Sequence, residues 1–144
     1  MLLPEERELF EREKLAPGIG LGKNPDDKEF RLISYQLIDD KCPQLEGNLC
    51  RIYAKRPASC RQFPFSYEID SKTGLTLLGI DLNCPAIERI IENTSRIFFN
   101  ERKSADKILE IKRIVANKAN VVWLYDLKEM TWIIMDNKDR DYRD

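Results

Sequence analysis

Residues 66–99, "SYEIDSKTGLTLLGIDLNCPAIERIIENTSRIFF", change from one periodicity to another within a short span. Branched and aromatic residues on either side of Asp70–Gly74 predict a β-hairpin, with Gly74 suited to a positive φ in its turn. An apolar face with helical spacing then predicts a helix. That face consists of Ile87, Ile90, Ile91, Thr94, Ile97 and Phe98.

The segments on either side predict more of both kinds of element. A helix is expected from Pro4 to about Leu15, because proline suits the first helical position and Pro17 ends the segment. Residues 18–27 read as a loop, and residues 29–38 as a strand. A second amphipathic helix is expected over 103–118, and "VVWLYDLKEMTWIIMD", residues 121–136, predicts a second hairpin. The predicted fold is therefore α+β.

A chain of 144 residues with no evident linker is expected to form one domain. Within it we distinguish a cysteine-rich region (28–85), a part made of helices and a hairpin (85–136) and a frayed tail (137–144). No apolar run is long enough for a membrane helix, and the acidic N-terminus is unlike a signal peptide. Cytoplasmic residence is the expectation.

The formal charge of −1 disfavours nucleic acid as a partner. Residues 101–118 carry six Lys and Arg against three Asp and Glu, which is typical of a solvated helix face. Glycines at 18–22 with Lys23 lack the sequence of a phosphate-binding P-loop. There is no histidine, which excludes Ser–His and Cys–His catalysis.

The four cysteines follow the spacing C-x7-C-x9-C-x23-C, without the C-x2-C pairs of common zinc sites. Residues 41–61 surround three of them with five cations, which could offset thiolate charge, and Arg56 and Arg61 could donate to sulfur. Cys84 precedes a predicted helix start, where the dipole favours a thiolate. Buried thiols and disulfides stay open as alternatives. A composition rich in Ile, Lys, Glu and Arg is typical of hyperthermophiles, in which intracellular disulfides are common.

The stretch "CPQLEGNLCRIYAKRPASCRQFPF", residues 42–65, resembles the signature of the CxxCxxCC family, whose members are described as zinc- or iron-chelating. The matching positions are Cys42, Pro43, Leu45, Cys50, Ile52, Tyr53, Arg56, Pro57, Cys60, Arg61, Phe63 and Pro64. Cys84 corresponds to a further family cysteine. The resemblance implies a site for zinc or an iron–sulfur cluster with Cys42, Cys50, Cys60 and Cys84 as ligands. Arg56, Arg61 and Tyr53 are expected around them.

The sequence departs from the family at the C-x-x-C-x-x-C-C cluster that precedes this region, which it lacks. We expect either that this protein has lost those cysteines or that Met1 is internal to a longer frame. Weak metal binding and oxidation, for instance to Cys42–Cys50 and Cys60–Cys84, then become alternatives. The resemblance also extends to flagellin lysine N-methylases. That activity is a further alternative, although no glycine-rich nucleotide loop is present.

Overall fold

A computed structural model describes residues 1–70, 72–84, 87–93 and 99–136. Three α-helices, three short 3-10 segments and ten strands make up this part of the chain, which confirms the predicted α+β class. The helices are α1 (Ala58–Gln62), α2 (Ile87–Asn93) and α3 (Arg102–Ala116), and the 3-10 segments are Pro4–Leu9, Arg12–Lys14 and Tyr53–Lys55. The strands are β1 (Leu15–Pro17), β2 (Ile19–Leu21), β3 (Arg31–Leu32), β4 (Tyr35–Leu37), β5 (Leu45–Glu46), β6 (Leu49–Cys50), β7 (Phe65–Ile69), β8 (Thr76–Ile80), β9 (Val122–Asp126) and β10 (Thr131–Ile134).

The largest sheet has four antiparallel strands in the order β10-β9-β2-β3. It joins the two ends of the described chain, because Leu21 near the N-terminus pairs with Val122. The indole N–H of Trp123 also donates to the carbonyl of Gly22, at 2.8 Å. Three two-stranded sheets, β1-β4, β5-β6 and β7-β8, complete the described strands.

The main core cluster joins α3 and α1 to this sheet and to the N-terminal segment. Its buried members are Leu3, Leu21, Ala58, Ile108, Ile111, Val115 and Val122. The α3 residues among them recur at helical spacing, so that one face of the helix is buried as predicted. None of the described helices is both long and apolar enough to cross a lipid bilayer.

Both predicted hairpins are confirmed. Strands β7 and β8 pair from Phe65–Ile80 to Ile69–Thr76. Gly74 has a φ of +70°, and the Asp70 carboxylate accepts a hydrogen bond from the N–H of Lys72. The second hairpin is β9-β10. The predicted helix after Cys84 is α2, but Pro85, Thr94, Ile97, Phe98 and the tail 137–144 lie outside the described residues.

The N-terminal helix begins at Pro4 as predicted but ends at Leu9, and the prediction that it reaches about Leu15 was wrong. The 3-10 segment stops where Phe10 becomes extended (φ −134°), which places this aromatic side chain in the interior. Burial of Phe10 outweighs the helix preference of the charged residues around it. Residues 15–17 instead form β1.

The predicted strand over 29–38 is two strands separated at Ser34. The N–H groups of Ile33 and Ser34 both donate to the Ile19 carbonyl, which is a local bulge, and the buried Ser34 hydroxyl accepts from the Ile19 N–H at 2.9 Å. At this bulge the chain leaves β2 and continues beside β1.

The expectation that residues 18–27 form only a loop was also wrong, because Ile19–Leu21 is strand β2. Gly20 in this strand lies directly beneath the ring of Phe30. A Cβ at Gly20 would lie 2.0 Å from Cζ of Phe30. The glycine therefore permits a close approach of ring and backbone and does not mark a turn.

Glu6 ties the N-terminal segment to α1. Its half-buried carboxylate accepts from the N–H of Leu3 (2.8 Å) and from the N–H of Ala58 (2.6 Å). We expect Glu6→Ala to lower the free energy of unfolding by about 2–3 kcal/mol, because two N–H groups lose a charged acceptor. Glu5→Ala, which removes an exposed pair with Lys107 and a hydrogen bond from the N–H of Glu5 itself, should cost less than about 1 kcal/mol. Urea denaturation checks both, and equal losses would refute this role of Glu6.

Candidate metal centre

The small hairpin β5-β6 brings Cys42 and Cys50 together. Leu45 pairs with Cys50 across the hairpin, and the Leu45 N–H donates to the carbonyl of Cys42 at 3.1 Å. The turn uses Gly47, whose φ is +58°. Residues 42–45 form a turn that leads into β5, and the Arg51 N–H donates to the Gln44 carbonyl, so both cysteines lie at the open end of the hairpin. The sequence pattern did not predict this hairpin.

One side-chain hydrogen bond closes the open end of this hairpin, and a second ties it to the N-terminal segment. The guanidinium of Arg51 donates to the Pro43 carbonyl (2.8 Å), which closes residues 43–51 into a loop. The side-chain amide of Gln44 donates to the Leu9 carbonyl (2.6 Å) in the N-terminal segment. The segment that carries Cys42 and Cys50 is therefore closed by the Arg51–Pro43 hydrogen bond and tied to the N-terminal segment by the Gln44–Leu9 hydrogen bond.

Cys60 is supplied by α1, a helix of five residues that the sequence pattern also did not predict. Ala58 of this helix is buried in the core, and its N–H is held by Glu6. Cys60 itself is an exposed residue. The core therefore positions α1, and α1 presents its cysteine at the surface.

The environment of Cys60 shows that three of the cysteines are near one another. Its pKa is raised above that of an ordinary thiol, first by burial of the sulfur and then by the negative charge of Cys42. Cys50 and Glu6 raise it further, whereas a hydrogen bond with Ser59 opposes the shift. Although the residue as a whole is exposed, its thiol is partly desolvated. The Cys60 thiol therefore keeps its proton at neutral pH.

Cys84 lies in a turn between β8 and α2. Its N–H donates to the Asp81 carbonyl (3.2 Å), and the Asp81 N–H donates to the Pro64 carbonyl (2.7 Å). Pro64 closely follows α1 in the chain, so these bonds tie the turn to the segment that carries Cys60. Its assignment as a fourth ligand stays a prediction.

Arg56, Arg61 and Tyr53 form one cluster beside α1. Arg56 donates to the Tyr53 carbonyl (2.9 Å), and its guanidinium carbon lies 3.7 Å from the centre of the Tyr53 ring. Arg61 donates to the carbonyls of Arg56 (2.9 Å) and Ala54 (2.8 Å). These bonds fix the backbone before α1, and donation from either arginine to sulfur stays a prediction.

All four cysteines are free thiols. Sulfur ligands of this kind suit zinc and iron–sulfur clusters, so the donor set fits the implied metals. Among the residues that the structure describes, however, no three Cys, Asp or Glu side chains are arranged closely enough to hold one ion. Closure of the thiols around a metal therefore requires movement of the segments that carry them.

Two residues near Cys60, namely Glu6 and Ser59, escaped the sequence analysis. Ser59 is adjacent to Cys60, but a serine beside a cysteine carries no specific signal. Glu6 is distant in sequence and reaches the cysteine region only because it binds the start of α1. Only the folded structure could reveal this proximity.

Comparisons with known proteins identify the family of this chain. The model of the CxxCxxCC family, described as "Putative zinc- or iron-chelating domain", matches residues 7–106. No curated protein and no solved structure matches the chain. The family match contains all four cysteines and covers more than half of the sequence. The chain therefore belongs to the CxxCxxCC family.

Proposed function

We propose that this protein is a metal-chelating module in which Cys42, Cys50, Cys60 and Cys84 bind zinc or an iron–sulfur cluster. The observation that supports the proposal is that α1 with Cys60 and the separate hairpin with Cys42 and Cys50 lie near enough for the charges of Cys42 and Cys50 to raise the pKa of Cys60. Family membership supports it independently.

The mutual effect of the thiols explains why a cation suits this place. As thiolates, Cys42, Cys50 and Cys60 repel one another, which is why the neighbours raise the pKa of Cys60. A metal ion between them converts this repulsion into attraction and displaces their protons. Binding should thus release protons and strengthen as the pH rises towards the pKa of Cys60.

The segments that carry the thiols are suited to a small closing movement. The hairpin β5-β6 is short and largely exposed, and Cys84 lies in a turn. In contrast, α1 is anchored in the core through Ala58. We infer that α1 is the fixed side of the site and that the hairpin pivots about the hydrogen bond from Gln44 to Leu9, towards Cys60, when metal binds.

We place the module in the reducing cytoplasm, where thiols remain available as ligands. Zinc would give the site a structural role, whereas an iron–sulfur cluster would give it a redox role. A visible spectrum distinguishes the two metals, because an iron–sulfur cluster absorbs visible light and zinc does not.

The direct test is anaerobic purification followed by elemental analysis and a visible spectrum. We expect about one equivalent of zinc, or iron and sulfide with visible absorption. Thiol titration in denaturant, after removal of metal and without reductant, should find four free thiols. Substoichiometric metal together with fewer than four thiols would instead establish the disulfide alternative.

A further inference from the structure

A second surface feature lies beside α1. It is a cleft of about 340 Å³ between the N-terminal segment, the loop before α1, α1 itself and the start of α3. Its lining residues are Glu6, Arg56, Ala58, Arg61, Lys103, Ser104 and Lys107. Four of these seven residues are cationic. The volume is at the lower end of the range of about 300–1,000 Å³ for ligand sites.

The two arginines of the cleft are held in place before any ligand arrives. Arg61 is fixed through Nε and Nη2 by two backbone carbonyls. Arg56 is fixed through Nε by one carbonyl and lies over the Tyr53 ring. A guanidinium has five N–H donors, so each arginine keeps donors for a ligand. Pre-ordered side chains lose less entropy on binding than mobile ones.

The two lysines come from the first turns of α3. Lys103 is exposed, and its ammonium group makes no hydrogen bond or ion pair with any residue in the described ranges. Lys107 pairs with Glu5 at 3.1 Å, but both side chains are more than half exposed, so this pair is weak. Both ammonium groups can therefore turn towards an anion.

The acidic groups near the cleft do not cancel this charge. Glu6 is the single carboxylate in the described lining, and both of its oxygens already accept backbone N–H groups. Glu101 lies outside the lining, and its carboxylate accepts a hydrogen bond from the hydroxyl of Ser104 at 3.3 Å. The lining keeps a net positive charge of three, which suits a multiply charged anion.

We propose that this cleft binds the phosphoryl group of a small phosphorylated ligand. A phosphate dianion matches the planar forks of Arg56 and Arg61, and Lys103 and Lys107 supply the remaining charge. The limited volume favours a small molecule over a polymer. Arg61 of the lining follows Cys60 directly on α1.

The test is a titration with inorganic phosphate at pH 7.5, followed by amide chemical shifts in NMR spectra at constant ionic strength. Shifts should be confined to residues 3–6, 56–61 and 101–107, the segments that line the cleft or are hydrogen-bonded to its lining. Lys103→Gln should weaken phosphate binding by roughly tenfold, the value of one charged hydrogen bond. Lys118→Gln removes the same charge from an exposed turn after α3 and should change the affinity less than about twofold.

Equal weakening by the two substitutions, or no localised shift at millimolar phosphate, would overturn the proposal. So would tighter binding of a single-stranded oligonucleotide with the same dependence on Lys103, because the ligand would then be a nucleic acid. The titration is repeated after chelator treatment. If phosphate binding persists without metal and metal binding persists in Lys103→Gln, the phosphate site and the metal site are independent. The failure of one proposal would then leave the other intact.

Discussion

Cys60→Ser is expected to weaken metal binding by about a hundredfold. Binding of zinc by four protein ligands is worth about 10–16 kcal/mol, so each ligand contributes roughly 3 kcal/mol, or about a hundredfold in affinity. Serine retains the size of the side chain but replaces a soft sulfur ligand with an alcohol that keeps its proton at neutral pH. Competition with a chromophoric chelator measures the affinity, and elemental analysis measures the metal that remains after purification.

Stability of the metal-free protein serves as the control for this substitution. Because Cys60 is an exposed residue, the metal-free variant should unfold within about 1 kcal/mol of the metal-free parent. Cys84→Ser should weaken metal binding as strongly if Cys84 is the fourth ligand. Full metal content in Cys60→Ser would contradict the proposed site, and full content in Cys84→Ser alone would remove only Cys84 from it.

Ile108→Ala is expected to lower the free energy of unfolding by about 2–5 kcal/mol. Ile108 is 2% exposed and belongs to the cluster in which α3 meets α1 and the four-stranded sheet. Truncation leaves a cavity. The helices and the sheet around it cannot close it, because their other contacts hold them in place. A domain of this size has roughly 7–20 kcal/mol of stability, so the loss would be a considerable part of the total. Urea denaturation followed by circular dichroism measures it.

Ile133→Ala is the matched control, because the same atoms are removed from a residue of β10 that is 47% exposed. We expect this substitution to cost less than about 1 kcal/mol. Comparable losses in the two variants would mean that the α3 interface is not the dominant core. A small loss in Ile108→Ala would mean that the α1–α3 region repacks around the cavity. The core would then not hold α1 rigidly, and the inference that α1 is the fixed side of the metal site would be wrong.

The parts of the fold that could be predicted are those whose pattern is local. The turn residues Asp70–Gly74 predicted β7-β8, and the spacing of Ile108, Ile111 and Val115 predicted α3. A short signature was sufficient to predict the family of the cysteine region. In each case neighbours in sequence are also neighbours in space, so the pattern contains the necessary information.

The rest depends on contacts between distant segments. The sequence analysis missed strand β2 because it took its glycines as loop residues. Gly20 is in fact required by the close approach of the Phe30 ring, which only the folded structure shows. The cationic residues near Lys103 read as an ordinary solvated helix face, although folding places them beside Arg56 and Arg61. Periodicity reports which face of an element is buried, but it does not report which elements meet.

The pairing of β2 with β9 has a consequence for biosynthesis. The hydrogen bond between Trp123 and Gly22 joins positions 101 apart in sequence, and β9 lies beyond residues 7–106. During translation, β2 cannot pair with β9 until most of the polypeptide has left the ribosome. Closing the chain between these two strands is slow because they are far apart in sequence. Nascent chains that stop before Val122 should therefore remain sensitive to proteases and depend on chaperones until translation passes that point.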